Sequence, residues 1–272
     1  MERSLYLIEN GHIKAIADGP SILVNLPQKS MQRVPLRLIG RVVVIGNIHI
    51  ETTLFCLLAE HNIPVLIMDL AGRKRAVVIP LVINSLQHSR WQKLFLISTR
   101  YREKFINWAK TKRAILQIKV LQRLFPRKAR MFSRGVGEGN YQLAIKPFLP
   151  LDKDKLEAAR NFVSSLFQGS VIKHAIDAGL DINLGIIHKR SHLGLAHDLG
   201  FVVEPQVDEQ LIEFFRAEGQ KKFLERDFMG WKLTREGVRN IIQRFEEKRK
   251  EIDEIIENII DEIFYLMREL SV

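Results

Sequence analysis

SLQHSRWQKLFLISTRYREKFINWAKTKRAILQIKVLQRL, Ser85 to Leu124, contains neither glycine nor proline. Leu94, Ile97, Tyr101, Phe105, Trp108, Ile115, Ile118 and Leu121 recur at three- and four-residue steps, the period of a helix with one buried face. The remaining positions carry Arg90, Lys93, Arg100, Arg102, Lys104, Lys110, Lys112, Arg113, Lys119 and Arg123, against a single acid, Glu103. Pairing at i,i+4 cannot neutralise such a face, so it is read as a surface for phosphate backbones.

Upstream, the chain reads as strands. Leu5–Ile8 and Ile13–Ala17 flank Asn10-Gly11, an Asn-Gly hairpin signal. Ser21–Leu26 follows Asp18-Gly19-Pro20. Arg41–Ile45 is a β-branched run suited to burial on both faces. Glu51-Thr52-Thr53 opens a short helix through Leu54, Leu57, Leu58 and His61, and Ile63–Met68 and Lys74–Ile79 are two more strands. The change of character after Pro80 gives an α+β expectation: a small N-terminal β-rich domain over 1–80 and a larger all-α domain over 85–272. The first has no catalytic constellation and is expected to serve in packing subunit against subunit.

Downstream, Pro126 to Gly139 (PRKARMFSRGVGEG) is basic and glycine-bearing, with Arg127, Lys128, Arg130 and Arg134 facing phosphate and Glu138 as its lone acid. Glu138 reads equally as an internal counter-ion or a metal ligand. Leu156–Ala178 is helical and ends at Gly179. Next comes AIDAGLDINLGIIHKRSHLGLAHDLGFVVEPQVD, Ala175 to Asp208, where His188 precedes two acids, Asp198 and Glu204. Imidazole with carboxylate is a ligand set for a catalytic divalent metal, and Lys189 and Arg190 beside it suit DNA. Glu209–Glu218 is a further helix. From Val238 onward, Ile252, Ile255, Ile256, Ile259, Ile260 and Ile263 form an apolar stripe that packs onto its own domain.

Composition narrows the function. The 272 residues carry 42 Lys and Arg against 31 Asp and Glu, a formal net charge of +11. A sequence pI near 9.8 accompanies it. A polyanionic partner follows, nucleic acid foremost. The single cysteine, Cys56, excludes a disulfide framework and a Cys-based zinc site. No apolar run reaches bilayer length and the N-terminus lacks the apolar core of a signal peptide, so a cytoplasmic protein without membrane contact is expected.

The ordered set Val34–Ile39, Val42–Gly46, Asn62–Leu66 with Asp69 and Gly72, Ala178–Asp181, Leu184–His188, Asp198-Leu199, Pro205, Val207-Asp208, Asp227-Phe228 and Leu233–Gly237 resembles the metal-dependent integrase and endonuclease of CRISPR adaptation, the protein that inserts new spacers. The resemblance spans most of the chain. It implies a β-domain used for homodimerisation and an all-helical catalytic domain. Further implications are a Mg²⁺ or Mn²⁺ site, phosphoryl transfer on double-stranded or branched DNA, and a small second adaptation protein as partner. His188 takes the histidine role and Glu138 the glutamate role, although the family's Glu-Gly opens a helix and Gly135, Gly137 and Gly139 make this segment loop-like. Two registers compete for the third ligand. One puts it on Glu204, with Asp198 in support. The other puts it on Phe201, which cannot bind a hard cation and would leave a DNA-binding or scaffolding homologue without chemistry.

Overall fold

The computed structural model describes residues 2–10, 13–25, 30–80, 88–132, 135–218, 223–228 and 230–270. A strand-rich N-terminal part precedes a mostly helical one. Strands β1 (Arg3–Ile8), β2 (Lys14–Asp18), β3 (Ser21–Asn25), β4 (Gln32–Pro35), β5 (Ile39–Ile45), β6 (His49–Ile50), β7 (Val65–Met68) and β8 (Lys74–Val78) form two four-stranded sheets, ordered β1-β5-β7-β8 and β4-β3-β2-β6. Helix α1 (Thr52–Glu60) lies between β6 and β7 in sequence.

β5 explains the layering. All seven residues are buried. Val42 and Val44 share a core with Ile22, Val24, Leu54 and Leu58, from the second sheet and α1. Val43 and Ile45 point the other way, into a core with Phe162, Leu166 and Phe245. Alternation along one strand thus serves two cores, and each fully buried Val or Ile contributes about 1.5–3 kcal/mol.

β1 and β2 are not the two arms of a hairpin, contrary to the Asn10-Gly11 reading. β1 runs parallel to β5, and β2 pairs with β3 and β6 in the other sheet. Leu7 and Ala15 face one core from opposite layers, so burial overrides the local turn signal; Gly11 lies outside the described residues.

The helical part contains α2 (Ser89–Ile97), α3 (Thr99–Leu124), α4 (Ala129–Phe132), α5 (Glu138–Ile145), α6 (Lys153–Asp177), α7 (Gly194–Glu218), α8 (Arg235–Glu247) and α9 (Arg249–Leu270). Between α7 and α8 an antiparallel ribbon, β9 (Leu224–Asp227) with β10 (Gly230–Leu233), departs from the all-α expectation. α6 and α9 bury the stripes expected of them, Phe162, Val163 and Leu166 on one and Ile252, Ile256, Ile259 and Ile263 on the other. α6 starts at an Asp152 cap, whose side chain accepts from the amides of Asp154 and Lys155, and stops at Gly179, in the left-handed region at φ +69°.

The described part of the 85–124 segment holds two helices. Ser98 is extended, at φ −122° and ψ 135°, and separates α2 from α3. The break resets the phase: Ile97 and Ile115 are exposed, while Phe105, Ala109, Arg113, Leu116, Gln117 and Val120 form the buried face of α3. Arg113 is therefore inside, not on the basic outer face.

Candidate metal and DNA site

His188 sits in the loop between α6 and α7. Gly185 and Gly194 bring the loop's ends together so closely that a Cβ on Gly185 would lie 2.6 Å from the His188 carbonyl oxygen and 2.8 Å from Gly194 Cα. Gln92 of α2 clamps the loop, donating to the Asp181 carbonyl at 3.1 Å and accepting from the Asp181 amide at 2.7 Å.

Asp198 is the loop's organising group. Its carboxylate is 0% exposed and accepts from the amides of Ile186, Ile187 and His188 at 2.6, 3.1 and 2.9 Å. It also meets His188 Nδ1 at 2.7 Å. Its oxygens are fully occupied, so Asp198 orients the imidazole instead of supplying a ligand, as in carboxylate–histidine pairs that leave Nε2 available. The His188 side chain is 43% exposed. His197 lies beside it, ring centroids 5.9 Å apart. Burial pushes His197 below its ordinary pKa, with Lys74 and His188 adding like charge.

Glu138 opens helix α5 rather than lying in a loop; Gly137 is its extended N-cap and Glu138 its first residue. A carboxylate in a helix's first turn is stabilised by the backbone dipoles. The larger determinant is Arg113. Its Nη2 donates to Glu138 Oε1 at 3.1 Å and its Nε to Oε2 at 3.2 Å. Gln117 adds a bond of 2.6 Å and Gln142 one of 3.0 Å. The Arg113 hydrogen bonds come first among the causes that hold Glu138 down at about 2.

Glu204, on α7, meets the same guanidinium through Arg113 Nη1. Phe201 contributes a carbonyl, accepting from Nη1 at 2.7 Å, and a ring whose centroid lies 4.7 Å from the guanidinium carbon. Pro205 lies inside α7. It has no N–H to offer the Phe201 carbonyl four residues earlier, and Arg113 supplies the missing donor. Behind Glu204, Arg160 reaches Asp208 at 2.7 Å and Glu204 at 3.7 Å. Tyr141 donates its hydroxyl to Asp208 at 3.0 Å; burial raises both the Asp208 carboxyl and the Tyr141 phenol above their ordinary values.

Arg113 is thus 8% exposed and salt-bridged to two acids, so it does not present itself to DNA. Arg123 is exposed but paired with Glu209 at 3.0 Å and with Glu251. Arg127, Arg130, Lys189 and Arg190 are exposed, and Arg130 already has an interaction of its own. Arg134 lies outside the described residues, as does the side chain of Lys128. Gln117 and Arg160 escaped the sequence reading; Gln117 follows Arg113, and Asp208 follows Glu204, at the four-residue step that puts side chains on one helix face.

The donor set of Glu138, His188 and Glu204 suits a hard divalent cation chemically, but the arrangement does not. Among the described residues, no three His, Cys, Asp or Glu side chains are gathered closely enough to hold a metal ion. Both glutamates face an arginine. In one direction the outcome is measurable. The folded-state pKa of Glu138 is depressed from 4.5 to about 2, so its stabilisation is full above about pH 4.5 and lost as pH falls toward 2. Glu138→Gln is expected to lower the urea midpoint at neutral pH, and the gap to wild type to close over that window.

Residues 5–135 match the family model of CRISPR associated protein Cas1. Over that stretch, just under half of the chain, the sequence is similar to the Cas1 family. That family is divalent-metal dependent and acts as nuclease and integrase in CRISPR adaptation. No curated protein matches the sequence. Among solved structures, a Cas1 protein from Thermotoga maritima superposes at a TM-score of 0.77 and 17% identity, covering 99% of this chain and 97% of that one. A casposase bound to integration product gives 0.75 and 18%, covering 99% and 91%. A chain of a Cas6-RT-Cas1–Cas2 complex gives 0.72 and 16%, covering 98% of this chain and 35% of that one. At these identities the likeness is one of fold, and the Cas1-type fold here extends well past the family-matched residues through α9. No helix among the described residues is long and apolar enough to cross a membrane.

Proposed function

We propose that this Cas1-like chain is a DNA-holding subunit of CRISPR adaptation that binds double-stranded or branched DNA without carrying a divalent cation. The observation that supports it most is Arg113, whose guanidinium lies between Glu138 and Glu204 with Phe201 packed on its face. A cytoplasmic chain, a homodimer formed through the strand-rich residues 1–80 and the helical residues 85–272 as the DNA-bearing part complete the reading. A small second adaptation protein is the partner, in keeping with the Cas1–Cas2 assembly that shares the fold.

Lys189 and Arg190, exposed beside His188, are the cations offered to phosphate. Replacing both with alanine is expected to weaken binding uniformly across sequences. The slope of log K against log salt should shrink by about 1 per lost phosphate contact, measured by fluorescence anisotropy over a salt series.

A second reading is the metal-dependent integrase, with Glu138, His188 and Glu204 around Mg²⁺ or Mn²⁺. The orientation of His188 favours it: a buried carboxylate and a clamped loop fix the ring and leave Nε2 outward. In the arrangement described, the chain's own residues bind and orient; the phosphoryl-transfer step belongs to this second reading alone. Labelled branched DNA incubated with either cation separates the two. Salt-sensitive binding without cleavage or strand transfer is expected, and turnover that His188→Ala abolishes would replace the first reading with the second.

A further inference from the structure

We infer that Arg113 is a built-in cation, occupying an all-oxygen site that would otherwise accept a hard divalent ion, and that this site is distinct in composition from a histidine-containing one. The inference rests on the DNA-holding reading and names what closes the site.

Four oxygen atoms converge on one guanidinium: Glu138 Oε1 and Oε2, Glu204 Oε2 and the Phe201 carbonyl oxygen. They come from two helices, α5 and α7, while the cation comes from a third, α3. Two carboxylates and a main-chain carbonyl are the ligand chemistry of Mg²⁺ or Mn²⁺. The carbonyl is available only because Pro205 has no amide hydrogen for it. Unlike an ordinary surface ion pair, the guanidinium is almost wholly buried and stacked on an aromatic ring. Its planar fork of donors satisfies several acceptors at once. Two glutamates left facing one another without it would repel and carry unmet desolvation. Any cation there must therefore displace or replace the guanidinium.

The test removes the side chain from the intact chain. Mn²⁺ is titrated into wild type, Arg113→Met and Arg113→Gln, with binding followed by isothermal calorimetry and by the loss of free Mn²⁺ signal in electron paramagnetic resonance. Arg113→Gln keeps an amide donor toward the acids and guards against a variant that fails to fold. Each variant is expected to bind one Mn²⁺ at least about tenfold more tightly than wild type, and to melt higher with Mn²⁺ than with EDTA, as a ligand selective for the native state requires. Adding Glu138→Gln to either variant should remove both effects. Variants that fold only with Mn²⁺ also support the proposal. Equal Mn²⁺ affinity in variants and wild type overturns it, as does failure of both variants to fold with or without Mn²⁺. Strand transfer by wild type would instead overturn the DNA-holding reading, and is scored separately.

Discussion

Asp198→Ala is expected to lower stability by about 3–5 kcal/mol, the cost of stranding buried polar groups after their charged partner is removed. Three loop amides and one imidazole nitrogen depend on this fully buried carboxylate. Urea denaturation measures the global loss. Hydrogen exchange locates it: amide protection should vanish over Ile186–His188 while the centre of α9, packed elsewhere, stays protected. Asp198→Asn should fall between, because its amide retains one acceptor oxygen but turns a donor toward donors. A loss below about 1 kcal/mol for the alanine variant would mean that water replaces the carboxylate, and the rigid presentation of His188 would go with it.

Gly72→Ala is expected to be at least as damaging, by about 3 kcal/mol or more, since overpacking meets a strained backbone. Gly72 adopts φ +75°, and a Cβ there would lie 2.3 Å from the Phe162 amide nitrogen and 2.5 Å from Phe162 Cα. Those atoms belong to the middle of α6, and cannot move aside as a side-chain tip would. The contact is reinforced by Ser165, whose hydroxyl donates to the Gly72 carbonyl at 3.0 Å. Gly19→Ala is the matched control. It shares a positive φ, +55°, but has nothing within 4 Å, so only the conformational penalty of about 1–2 kcal/mol remains. Thermal unfolding of the pair separates backbone strain from the joint between strands and helices.

Much was legible in the chain itself. The β-branched run at Arg41–Ile45, the Gly- and Pro-free segment after Pro80 and the isoleucine stripe near the end each encode a period, and period decides whether a segment is strand or helix. The resemblance around Leu184–His188 singled out His188, with Asp198 in support of Glu204; that Asp198 reaches back from α7 to hold the His188 loop was not legible. Two features of the structure differ from the sequence expectation for physical reasons. The Asn-Gly signal at Asn10 describes a local turn, whereas pairing partners are chosen by which faces must be buried together. The reading of Ser85–Leu124 carries one buried side across its helices, whereas the extended residue Ser98 rotates everything after it.

That rotation is what the sequence could not announce. From sequence, Arg113 is one cation among ten on a basic segment, Glu138 an acid with two readings, and Glu204 and Phe201 rival registers of one role. Residue types and spacings determined the strand-then-helix order and the excess positive charge, because those follow from periodicity and composition. Only the tertiary structure decided that Arg113 turns inward from α3 to meet α5 and α7. The choice between a metal and an arginine at this place depends on three helices meeting at one point, and no local pattern carries that information.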